Sequence, residues 1–211
     1  MSRKKMVFLI FFLVLLLDQS VKIWVKTHMA YGEEIQVFGW DRVLIHFVEN
    51  DGMAFGMRLG GEYGKLLLSL FRITAVGFLL LYLIRLVKEN SDRWLVAGFA
   101  LVLSGAVGNI VDSVLYGKIF SASSFDSGPA QLFPEGGGYA PFLYGRVVDM
   151  FYFPLLYGNY PDWIPYFGGK AFLFFRPVFN IADVAISMGV VTLLYFYFRL
   201  SVPQELSQEE E

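Results

Sequence analysis

The chain contains no cysteine and only two histidines, His28 and His46. Without thiols, disulfides, thiolate metal sites and a cysteine nucleophile are all excluded. The histidines lie far from any second ligand in sequence, which argues against zinc, and no cofactor is expected. A dominant charge is missing too: the formal net charge is -2, which gives no reason to expect nucleic acid as a partner. Apolar and aromatic side chains are plentiful. Of 211 residues, 56% are hydrophobic, with 22 Phe, 12 Tyr and 4 Trp, and the mean hydropathy is +0.53. That excess is unusual in a water-soluble domain and natural where lipid replaces water around the fold.

The N-terminus places Arg3, Lys4 and Lys5 before an apolar run that reaches Leu17, the outline of a secretory signal. No small-residue cleavage site follows. Asp18, Gln19 and Ser20 come next, and apolar character resumes to Val25, so the segment reads as a membrane helix. Four stretches, at about 6–25, 66–87, 94–115 and 178–200, are long enough to cross roughly 30 Å of hydrocarbon at ~20 residues each. The short polar link from Lys88 to Arg93 makes the second and third a hairpin. Basic residues at Arg3, Lys4, Lys5, Arg85, Lys88, Arg93 and Arg199 would share one side, assigned to the cytoplasm together with both termini.

Between the first two helices, Glu34–Phe38 and Arg42–Val48 read as strands around a Gly39-Trp40-Asp41 turn, within an outer β region at about 31–60. The connection at 116–177 holds every proline but Pro203, and its glycines make long helices improbable. Its aromatic content favours an ordered segment packed at the membrane interface. The expected fold is an all-α membrane protein, one integral domain over 1–211. It has four transmembrane helices, a small extracytoplasmic β-sheet and a long extracytoplasmic loop.

This topology brings polar residues together. Asp18 comes late in an outward helix, Asn109 and Asp112 late in another, and Asn180 and Asp183 early in an inward one. Charged groups in a membrane span are expensive and normally mark function. Asn109 with Asp112 and Asn180 with Asp183 are i,i+3 pairs, and Asp18 with Lys22 is i,i+4, so each pair shares a helix face. Asp149 stands in the apolar string Val147-Val148-Asp149-Met150-Phe151. Each has a structural reading as well. Asp18 paired with Lys22 would brace a helix end, Asp112 would accept backbone hydrogen bonds, and Asn109 and Asn180 would join helices. Lys65 and Arg72 read as snorkelling cations, and Arg146 as a partner for lipid phosphate or a carboxylate.

Five blocks then resemble the lipoprotein signal peptidases (signal peptidase II), a family of membrane aspartyl proteases. They are Asp18-Gln19-Ser20-Val21-Lys22, Asn50-Asp51-Gly52-Met53-Ala54-Phe55, Gly105-Ala106-Val107-Gly108-Asn109-Ile110-Val111-Asp112, Val147-Val148-Asp149-Met150-Phe151 and Phe179-Asn180-Ile181-Ala182-Asp183. They fall in the family's order on four matching spans and cover nearly the whole chain. The resemblance implies that Asp149 and Asp183 are the catalytic pair. It implies that Asp18, Lys22, Asn50, Gly52, Gly108, Asn109, Asp112 and Asn180 shape or line the site. Two positions depart from the pattern: Ser104 replaces one of a glycine pair, and Ser113 replaces an arginine that would partner Asp112. Arg146 is a candidate substitute.

The implied substrate is a bacterial prolipoprotein carrying diacylglycerol on the cysteine after the cut. The implied setting is the bacterial cytoplasmic (inner) membrane, with the site near the extracytoplasmic face, membrane lipid as neighbour and a monomeric enzyme. The alternative from another class is a small proton- or ion-coupled transporter. Against it stand only four spans, no inverted repeat and no polar path across the bilayer.

Overall fold

The computed structural model describes residues 1–51 and 61–201. Four of its helices are long and apolar enough to cross a membrane, Arg3–His28, Tyr63–Lys88, Arg93–Ile119 and Ile181–Arg199, and the chain is a multi-pass membrane protein. The described residues group into two compact units, the first within Met1–Gln19, Glu62–Val111 and Ile181–Glu211, the second within Ser20–Gly61 and Asp112–Asn180.

The first unit is helical. It takes the start of α1 (Arg3–His28), then α2 (Gly61–Lys88), α3 (Arg93–Val111) and α4 (Ile181–Ser201). The third span is the central one: 39% of its most apolar window is buried, against 11% in the first and second. Leu83 and Leu86 of α2 pack with Val96, Ala100 and Leu103 of α3, bordered by Met6, Val7 and Ile10 of α1. Helices α3 and α4 meet through glycines. A Cβ on Gly105 would lie 2.2 Å from the Ala182 carbonyl oxygen, and one on Gly189 would lie 2.7 Å from that of Gly98. Small residues let helix backbones approach where lipid supplies no hydrophobic drive. The buried Ser104 hydroxyl donates to the Ala100 carbonyl (2.6 Å), so the serine where the resemblance implies a glycine is satisfied within its own helix.

The second unit holds the sheets. Strands β1 (Glu34–Gln36), β2 (Leu44–Asn50), β3 (Val147–Tyr152) and β6 (Val178–Phe179) form one antiparallel sheet in the order β1-β2-β3-β6. The expected first hairpin is present with shifted ends. Strand β1 stops at Gln36, a 3-10 turn covers Val37–Gly39, and Gly39 takes φ 71° to close it. Strands β4 (Leu156–Asn159) and β5 (Ala171–Phe174) make a separate antiparallel hairpin in the long connection.

Two helix ends differ from the sequence expectation. Val178–Phe179 pair with Tyr152 and Phe151, so strand pairing occupies the residues read as the start of the last helix, which begins at Ile181. The third α-helix ends at Val111, and Asp112–Tyr116 form a π-helical turn before a short helical turn at Gly117–Ile119. Such π turns rotate the following side chains relative to the α-helical face and often lie at functional sites.

Candidate active site

In the helical unit, Asp183 sits half-buried in the first turn of α4. The Asn109 amide of α3 donates to Asp183 Oδ1 at 2.9 Å. One residue earlier, the Ala182 N–H donates to Oδ1 of the fully buried Asp18 at 2.8 Å. The first N–H groups of a helix have no partner within it, and a carboxylate there is also favoured by the helix dipole. Asp18 therefore caps α4 from another helix and fixes the turn that carries Asp183. The Gln19 amide donates to Asp18 Oδ2 (3.0 Å) and to the Gly108 carbonyl (3.2 Å), which orients the cap. A Cβ at Gly108 would come within 2.7 Å of Asp18 Oδ2, so Gly108 clears space for that carboxylate. A cleft of about 260 Å³ opens here, with Phe71 and Arg72 from α2, Ala106 and Asn109 from α3, and Asp183 and Ile186 from α4 in its walls.

In the sheet unit, Asp149 lies mid-strand in β3, 4% exposed, opposite Val48 of β2. The β2–β3 register shifts between Ile45 and Val48, one of the irregularities that re-aim side chains next to functional sites. The buried Asn180 amide donates to Asp149 Oδ1 (2.6 Å) and to the Val148 carbonyl (3.3 Å). Asp112 Oδ2 accepts the Val148 N–H (3.2 Å) and pairs with Lys22 Nζ (2.9 Å), both side chains fully buried. Buried charges are tolerated only when paired and hydrogen-bonded, and this pair grips the backbone one residue before Asp149.

A second buried cation lies one turn along α1. Lys26 pairs with Glu49, donates to Ser123 Oγ (2.9 Å) and sits 5.2 to 5.8 Å from the ring centres of Phe47, Phe120 and Tyr139. Glu49 pairs in register with Val148, and Asn50 with Val147. Arg146 reaches Glu49 (3.4 Å) and Asp51 (3.5 Å), and its N–H donates to the Tyr139 hydroxyl (2.7 Å). Burial pushes the Tyr139 phenol well above its usual value.

Several sequence expectations change as a result. Lys22 pairs with Asp112 in addition to sharing a helix face with Asp18, and Asp18 accepts the Ala182 N–H. Lys22 thus supplies the cation that Ser113 cannot, and Arg146 lies on Glu49 and Asp51 instead. Asn109 lies in the α-helix and Asp112 opens the π turn that follows it, so the plain i,i+3 helical spacing does not describe this pair. Arg72, read as snorkelling, lines the Asp183 cleft. Gly52 lies outside the described residues. Lys26, Glu49 and Gln19 were missed, although Asp18, Lys22 and Lys26 recur at i, i+4 and i+8, which puts them on one face of α1. Among the described residues, no three His, Asp or Glu side chains gather as a metal site.

The fold and these carboxylates define a multi-pass membrane protein that holds two aspartates, Asp149 and Asp183, each on one oxygen by an asparagine amide. Its family follows from comparison with known proteins. A family model described as signal peptidase (SPase) II matches residues 10–199. A lipoprotein signal peptidase of Porphyromonas gingivalis is 50% identical over 196 residues, covering 92% of this chain and 84% of its own. One from Amoebophilus asiaticus is 38% identical over 202 residues, covering 94% and 79%. A solved bacterial membrane enzyme, 20% identical, superposes with a TM-score of 0.58 over 97% of this chain and 91% of its own, a likeness of fold. The chain belongs to the signal peptidase II family, a family of peptidases.

Proposed function

We propose that this enzyme removes the signal peptide from diacylglyceryl-modified bacterial prolipoproteins, cutting before the lipidated cysteine, with Asp149 and Asp183 as the catalytic pair. The observation that carries the reaction is family membership across residues 10–199. Support for the choice of aspartates comes from their matched settings. Each receives one asparagine amide, from Asn180 and from Asn109. Each also follows a residue whose backbone N–H is held by a buried carboxylate, Asp112 for Val148 and Asp18 for Ala182. The chain thus positions two acids from the backbone outward, as acid–base chemistry requires.

In this reading the pair works with one carboxylate protonated and the other ionised, because two negative charges acting on one bond are costly. The ionised member takes a proton from water as the water oxygen bonds to the scissile carbonyl carbon. The protonated member hydrogen-bonds the carbonyl oxygen, and on collapse of the tetrahedral intermediate the C–N bond breaks and the amine leaves with a proton. Neither metal nor covalent intermediate enters. The enzyme works as a monomer in the cytoplasmic membrane with both termini inside. Asp18, Lys22, Asn50, Gly108, Asn109, Asp112, Arg146 and Asn180 support the site, and the sheet and long connection lie outside, near the extracytoplasmic surface. There the signal helix and acyl chains stay in lipid while the scissile bond meets water.

The test is cleavage of a lipid-modified prolipoprotein by the purified chain. Asp149→Asn and Asp183→Asn are each expected to lose about 10²- to 10⁴-fold in rate, the usual worth of a positioned acid or base. A correctly folded variant of either kind that cleaves at the normal rate would overturn the pair.

A further inference from the structure

The β4–β5 hairpin lies in the chain between Asp149 and Asp183 and has no role in the chemistry above. It is an ordered element. Leu156 pairs with Phe174 and Asn159 with Ala171, and Tyr160 packs on Phe167 and Phe172. The Tyr160 N–H donates to the Lys170 carbonyl and the Gly169 N–H to that of Tyr160, both at 2.9 Å, closing its tip. Yet this closed tip turns its aromatics outward: Trp163 is 79% exposed and Tyr166 91%, with Tyr157 and Phe167 also exposed.

Water is a poor environment for such an element. An isolated two-stranded hairpin is marginally stable in water, and the fold spends backbone strain to present the tip. Tyr166 is held at φ 66°, a left-handed conformation that side chains other than glycine rarely adopt. The composition matches the bilayer interface rather than the hydrocarbon core or a protein groove. Trp and Tyr carry an apolar ring and a polar handle, the pairing enriched at the level of lipid headgroups. Within 155–177 the charges are Asp162, Lys170 and Arg176, and the Lys170 ammonium lies 5.8 Å over the Phe167 ring. Continuity also favours lipid. Phe175 is six residues from the first residue of α4, a membrane span, and that length reaches roughly 20 Å at full extension.

We propose that the β4–β5 hairpin is a membrane-interface anchor that seats Trp163, Tyr166 and Phe167 among the lipid headgroups. The occupant of this surface is the bilayer itself, not a protein partner.

The experiment uses the full chain with Trp24, Trp40 and Trp94 changed to Phe, leaving Trp163 as sole reporter, reconstituted in phosphatidylcholine vesicles. One set of vesicles carries bromine at a shallow acyl position and another at a deep one. Shallow bromine is expected to quench Trp163 by about half or more, deep bromine less, and aqueous iodide only weakly, the pattern of an interfacial ring. If the triple change impairs folding, the difference in quenching between the native chain and Trp163→Phe gives the same measurement. Full access to iodide with no quenching by either brominated lipid would overturn the anchor. So would protection that appears only on adding prolipoprotein, or only as protein density in the vesicle rises.

Discussion

The helical unit and the sheet unit hold an aspartate each, by different physical means. In the helical unit the spans leave many apolar side chains exposed, and few polar groups are buried. Asp183 is placed by helix periodicity, by the glycine contact between α3 and α4, and by Asp18 capping a helix end. In the sheet unit Asp149 is placed by strand register, and buried ion pairs, Lys22 with Asp112 and Lys26 with Glu49, lock that register from α1. A helix offers a free N-terminus on which one carboxylate can act. A strand offers its N–H groups to neighbours, so a carboxylate can hold it only where the ladder leaves an N–H available, as at Val148. The sheet therefore depends more heavily on buried charge, and it is the more vulnerable of the two to loss of a single partner.

The sharpest way to break the contrast is Lys22→Met. It removes the cation that pairs with the buried Asp112 at 2.9 Å and is expected to cost about 3–5 kcal/mol, read as a lowered midpoint in detergent unfolding. Adding Asp112→Asn removes the stranded charge and is expected to recover most of that stability. If the single variant unfolds like the native chain, the sheet does not depend on this pair. A smaller effect should separate the two asparagines. Loss of a hydrogen bond to a charged group is worth roughly 1.5–3 kcal/mol, about 10- to 100-fold in kcat. Asn180→Ala also removes the bond to the Val148 carbonyl, so it should fall further than Asn109→Ala in both kcat and stability. Equal losses in both would remove the distinction.

Gly108→Ala probes the helical unit alone. Its Cβ would press on Asp18 Oδ2, and overpacking of this kind costs about 1–3 kcal/mol. Thermal unfolding should shift, with further loss of cleavage because the α4 cap moves. The smallest effect is a pH dependence in the sheet unit. Burial raises the Tyr139 phenol in the folded chain, so the unfolded chain loses that proton first as pH rises past about 10. Stability is then expected to fall above that pH, and Tyr139→Phe should flatten the fall. An unchanged alkaline slope would mean that Tyr139 is not the group responsible.

Much of the helical unit was legible in advance. Apolar runs of membrane length and their bounding charges depend on local composition, and they marked all four spans to within a few residues. The two departures have tertiary causes: Val178 and Phe179 were taken by β3, and the α3 ladder changed to a π turn at Asp112. The sheet unit was less legible. Its strands are short, and β3, β4, β5 and β6 come from a connection whose prolines and glycines signal only the absence of long helices. Helix spacing also could not reach Asp112, which pairs with Lys22 from a distant part of the chain. Residues one turn apart on a helix can pair, but in a buried setting each charge goes to whichever opposite charge the fold encloses with it.

By itself the sequence determined that the chain crosses a membrane, that thiol chemistry is excluded, and which motifs carry the aspartates, because these depend on residue type and spacing along one chain. Only the tertiary structure decided what each of those acids touches. Asp18, Lys22 and Lys26 lie on one face of α1, yet they secure α4, the π turn and β2 respectively. The pairing of a buried charge depends on which distant backbone and side chains share its low-dielectric surroundings, and that is set by packing, not by spacing. Asp149 and Asp183, the pair the resemblance implies, each receive an asparagine amide, and Asp112 and Asp18 hold the backbone one residue before them.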